Sequence, residues 1–67
     1  MSNSEAIDIA EGYIEAESEE QYIAAWQHLI DTGLAWRLQG WFGRQALHMI
    51  DRGVCTFPEK DVRPEKR

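Results

Sequence analysis

Two histidines each stand three positions before an aspartate, His28 with Asp31 and His48 with Asp51, which puts an imidazole one helical turn from a carboxylate twice over. Brought to one point, these four groups would have the donor set of a divalent-metal site. Nothing in the spacing makes the pairs converge, and both histidines suit ordinary, partly exposed helix positions, so neither a metal nor another cofactor is expected. Cys55 is the single cysteine. It has no tightly spaced histidine and no evident base to make it a thiolate, so no catalytic role is assigned to it and the chain is not expected to be an enzyme. Arg44 and Gln45 follow a turn and could face DNA as in a helix-turn-helix. Against that, the residues just before them are bulky and apolar, and the net charge of −5 has the wrong sign for a phosphate backbone, so direct nucleic-acid binding is not expected.

The aromatic residues make a stronger case, and it is a case for binding. Three tryptophans, two tyrosines and two phenylalanines occur in 67 residues, and each such side chain can bury about 150–250 Å². A chain this short encloses only about 60% of its unfolded surface, so it has difficulty hiding them all. Trp26 falls on the inner face of a helix and belongs to the core. Trp36 and Trp41 flank Arg37 and Gln39, with Arg44 a turn further on, and Trp, Tyr and Arg are the types enriched where binding energy concentrates. Trp36, Arg37, Gln39, Trp41 and Arg44 are therefore the candidate partner-binding set. The ordinary alternative is that both rings cover the open end of a small core.

The elements that must position this set are helices. Ser4 can cap a first helix whose face is Ile7, Ala10 and Ile14, widened by Ala6, Ile9 and Tyr13, with Gly12 as a weak point inside it. Ser18 and Gln21 form a capping box for a second, with Tyr22, Ile23, Trp26, Leu29 and Ile30 on its inner face. The short polar link between them predicts an antiparallel hairpin. Leu34, Trp36 and Leu38 alternate like a strand, yet one short strand has no partner here, so a short helical turn or connector is expected. Gly40 and Gly43 bracket Trp41 and Phe42 at the start of a third helix, with Phe42, Ala46, Leu47, Met49 and Ile50 facing inward. The predicted fold is all-α: a helical hairpin plus a third helix after an aromatic-rich connector, as one domain over residues 1–57, with 58–67 a flexible charged tail.

The second and third helices end on nearly the same words, HLIDTGL from His28 to Leu34 and HMIDRGV from His48 to Val54. Glycine ends helices because it takes a positive φ without a Cβ clash. If both ends are Schellman motifs, the glycines are Gly33 and Gly53, and the apolar pairs Leu29 with Leu34 and Met49 with Val54 close them. That local requirement accounts for the likeness better than a duplication, and two copies are too few for a solenoid.

Charge is divided along the chain. Residues 1–33 carry eight acids and no Lys or Arg, a net −8, while residues 34–67 carry seven bases against four acids, a net +3. Such asymmetry can hold two halves together or align two molecules head to tail. A solvated helix face is the plain reading of the acidic half. An acidic mimic of nucleic acid is the sharper one, because four carboxylates between Glu15 and Glu20 would attract a basic groove. With no disulfide possible and no metal expected, self-association is the leading aid to so small a core. No apolar run is long enough to span a membrane, and the acidic N-terminus has no signal-peptide pattern.

The run AAWQHLIDTGLAWRLQGWFGRQALHMIDRGVC resembles a family of short bacteriophage-encoded proteins. Their pattern is a helix followed by LIDTGLAW, LQG, an aromatic, GR and a final LI-x-x-G. Residues 18–55 cover it, with Asp31, Thr32, Gly33, Leu34, Trp36, Leu38, Gln39, Gly40, Gly43 and Arg44 in their places and Met49 where leucine is usual. The resemblance implies phage origin and action in the host bacterial cytoplasm; the aromatic and arginine set is expected to meet a host or phage protein there. It implies no catalytic or binding residue, because the family has no assigned activity.

Overall fold

The computed structural model describes residues 1–57, and within them the fold is all-α: α1 (Asn3–Glu11), α2 (Glu19–Thr32), the short α3 (Leu34–Arg37) and α4 (Gly40–Asp51). The predicted tail, 58–67, lies outside the described residues. α1 is capped two residues earlier than expected, by Ser2, whose Oγ accepts the N–H of Glu5 at 3.1 Å. Ser2 and Glu5 have capping-box spacing, a signal that Ser4 obscured. Gly12 is the C-cap of α1 with φ 91°, not a weak point inside it. The Asp8 carbonyl there accepts the N–H of Gly12 at 3.0 Å and that of Tyr13 at 2.9 Å, a Schellman stop. Tyr13 and Ile14, expected on the inner face, are consequently past the helix end and exposed.

α2 begins as its sequence implies. Ser18 Oγ accepts the N–H of Gln21 at 3.1 Å, and Gln21 Oε1 reaches back to the N–H of Glu17 at 2.6 Å, one residue before the position a standard capping box would satisfy. Glu19 and Glu20 occupy the first turn, where the helix dipole favours negative charge. α1 and α2 run antiparallel, with Asn3 at the start of α1 against His28 near the end of α2, Oδ1 to Nε2 at 2.7 Å.

The core collects around α2. Ala25, Trp26, Leu29 and Ile30 are fully buried; Ala6 and Ile9 come from α1, Ala35 from α3, Phe42, Ala46 and Met49 from α4, and Cys55 from the segment after it. Trp26 is the hub, its ring edge-on to Trp41 at 6.2 Å and tilted against Phe42 at 5.8 Å. Rings of this size hold α4 off α2, so the two helices meet through side chains and not through close backbones. Leu47, expected to face inward, is 42% exposed. The buried arc of α4 centres on Phe42, Ala46 and Met49, and at 100° per residue Leu47 turns out of it.

After α4 the chain folds back along α2. Val54 N and Cys55 N both donate to the Met49 carbonyl, at 2.9 and 3.2 Å. Gln27 then grips the backbone of Thr56, its Oε1 accepting the Thr56 N–H at 3.0 Å and its Nε2 donating to the Thr56 carbonyl at 2.8 Å. The same Nε2 also donates to Asp31 at 2.9 Å.

Candidate functional site

The connector between α2 and α4 is shaped by one left-handed residue. Gly33, buried and with φ 83°, ends α2, and the chain re-enters helix at once as α3. Leu38 is extended, and Gln39 leads into α4 without giving it a side-chain cap. The result is a compact corner at the C-terminal end of α2 that presents residues 36–44.

Within that corner the candidate set divides by environment. Trp36 is half-buried: its ring lies over Gly43, where an added Cβ would come within 3.5 Å of Cε3, and tilts against Phe57 at 6.2 Å. Arg37, Gln39 and Arg44 are exposed. Trp41 does both jobs, with one side stacked on Phe42 at 4.0 Å and the ring 37% exposed. Trp41, Arg37, Gln39 and Arg44 are thus all solvent-exposed within one short stretch of chain, while Trp36 packs inward against Gly43 and Phe57. The indole N–H groups of Trp26 and Trp36 are buried and, among the described residues, have no hydrogen-bond partner.

The residues that could have done metal or thiol chemistry are dispersed. His28 is engaged by Asn3 and Asp31 by Gln27, while His48 lines a different surface. Among the described residues no group of three or more His, Cys, Asp or Glu is placed to hold a metal ion. Cys55 is buried beneath the Gln27 clamp, its Sγ 4.0 Å from the Ile23 carbonyl. Burial pushes its thiol up from the ordinary range, and the Asp31 carboxylate adds to the shift, so the reactive thiolate is disfavoured.

A second concavity was not foreseen. A groove of about 210 Å³ lies between the start of α2 and the end of α4, with Tyr22, Ile23, Met49 and Val54 as its apolar lining and Glu19, Gln45, His48 and Arg52 as its polar one. Helical periodicity identifies Tyr22, Ile23 and Met49 as inward-facing. It carries no information on the gap between helices, which depends on which ring meets which.

Among the described residues no helix is long and apolar enough to cross a membrane. The profile of one protein family, described as a domain of unknown function (DUF7417), matches residues 3–66, and the chain belongs to that family. No curated protein and no solved structure matches it.

Proposed function

We propose that this member of a family of unknown function is a small phage-encoded binding module, acting in the host bacterial cytoplasm without catalysis, whose connector face engages a host or phage protein. The observation that carries the reading is Trp41. It is anchored by stacking on Phe42 and by its edge contact with Trp26, yet keeps 37% of its surface in solvent, in a stretch of chain where Arg37, Gln39 and Arg44 are exposed as well. A ring held rigidly and left partly open loses little conformational entropy on binding, and Arg beside it adds cation–π and bidentate hydrogen-bonding capacity. Phage origin and location rest on the resemblance carried by the LIDTGLAW and LQG-x-x-GR stretches.

The test is capture from host lysate with the intact chain and with Trp41→Ala/Arg37→Ala, each captured protein being identified by mass spectrometry. The expected outcome is a discrete partner that the double variant loses while its far-UV circular dichroism stays helical. If capture persists undiminished in a folded double variant, the connector face is not the binding surface.

A further inference from the structure

We infer that a second copy of this chain seats its α1–α2 corner on the connector face of the first, so that copies join head to tail. The inference rests on the connector face being a binding surface and adds the identity of an occupant. At the α1–α2 corner the Asp8 carbonyl accepts three N–H groups, those of Gly12, Tyr13 and Ile14, at 3.0, 2.9 and 3.2 Å. This pins the turn and holds two adjacent large apolar side chains outward, Tyr13 at 80% and Ile14 at 43% exposure. Glu11, Glu15, Glu17, Glu19 and Glu20 surround them in sequence, and residues 1–33 contain no Lys or Arg.

The opposite end of the molecule carries the converse arrangement. α2 has 14 residues, which separates its two ends by about 21 Å. Its far end leads into the segment Leu34–Arg44, which contains no acid, carries exposed Arg37 and Arg44, and brings Trp41 back onto Trp26 in the middle of α2. An apolar pair framed by carboxylates thus complements an aromatic ring framed by guanidiniums, and the charges orient the approach while the rings exclude water. Connector against connector would oppose Arg to Arg, and corner against corner Glu to Glu, so the complementary contact is heterologous. The pair keeps one free face of each kind, one on each copy, and growth continues until a ring closes or a filament forms.

The decisive experiment uses the full chain and two variants, each changing exposed residues of one face: Tyr13→Ser/Ile14→Ser at the corner and Arg37→Glu/Arg44→Glu at the connector. Light scattering of the wild type should give a mass that rises with concentration above that of the 7.8 kDa monomer. Each variant alone should stay monomeric with unchanged circular dichroism. Their equimolar mixture should form a species of twice the monomer mass and stop there, because each contributes one intact face. A wild type that stays monomeric at its solubility limit overturns the inference, and so does a mixture that fails to pair. A monomeric wild type that still captures a partner through Trp41 overturns the self-association and leaves the connector reading standing.

Discussion

HLIDTGL and HMIDRGV differ at three of seven positions, and both place a glycine near φ 82° at the end of a helix, yet one is a joint and the other a stop. At the second, the Met49 carbonyl is taken by Val54 N and Cys55 N, the Schellman bonding that turns a chain away from the helix axis. At the first, the equivalent carbonyl, Leu29, faces the Thr32 hydroxyl at 3.3 Å, and that hydroxyl's shorter bond is to His28 O at 2.9 Å. Leu34 N turns instead toward Thr32 Oγ1 at 3.4 Å, and helix resumes at Leu34. The Schellman reading of the first copy is therefore corrected. A hydroxyl at Thr32 where the second copy has Arg52 competes for the carbonyl on which a Schellman stop depends.

The comparison can be broken most forcefully at the glycines. Gly33 is buried, and the direction of α3 and α4 depends on its left-handed backbone. Gly33→Ala should destabilise the fold by about 2–3 kcal/mol, measured by urea denaturation. An added Cβ at Gly53 meets nothing within 4 Å, so Gly53→Ala should incur only the backbone term of about 1 kcal/mol. Equal losses at the two sites would mean that Gly33 is a stop like Gly53 and not a joint.

How far the sequence carries follows the same divide between local and spatial information. The all-α class, the capped start of α2, the glycine ends of α2 and α4, and the helical turn at Leu34 all depend on residues within a few positions of one another, and all were legible. Ser2 was legible too, through its spacing from Glu5, but Ser4 competed with it. Gly12 was misread as helix interior because the apolar spacing continues through Tyr13 and Ile14, and periodicity alone does not register that a helix has ended. The candidate set of Trp36, Arg37, Gln39, Trp41 and Arg44 was chosen by proximity in sequence, and of these Trp36 is the one the fold turns inward, against Gly43 and Phe57. That placement required contacts distant in sequence, as did the α2–α4 groove and the grip of Gln27 on Thr56.

That grip sharpens the second member of the comparison, because it decides what the Gly53 stop is for. The turn sends Cys55, Thr56 and Phe57 back along α2, and Gln27 secures them through both backbone polar groups of one residue, Thr56. Gln27→Ala removes both bonds, and with them the exposed one to Asp31, and should cost roughly 1–2 kcal/mol, most of it from the two bonds to Thr56. It should also accelerate modification of the Cys55 thiol by an aromatic disulfide reagent, since the residue is 2% exposed while the segment is held. Unchanged thiol reactivity would mean that packing of Cys55 against Ile23, and not the clamp, keeps the segment in place.

The smallest effect is the one that isolates the cause of the difference. Thr32→Val keeps the β-branched shape of an exposed residue and removes only the hydroxyl, so its cost should be about 0.5–1 kcal/mol. The structural consequence matters more than the magnitude. With its competitor gone, the Leu29 carbonyl becomes available to Leu34 N in the same 6→1 geometry that joins Val54 N to Met49. Amide hydrogen exchange at Leu34 should therefore slow in Thr32→Val while α3 loses protection at Leu38, whose N–H bonds the Leu34 carbonyl at 3.0 Å only when α3 is formed. Retention of protection at Leu38 with no gain at Leu34 would assign the joint to the apolar packing of Leu34 and Ala35 instead of to the threonine.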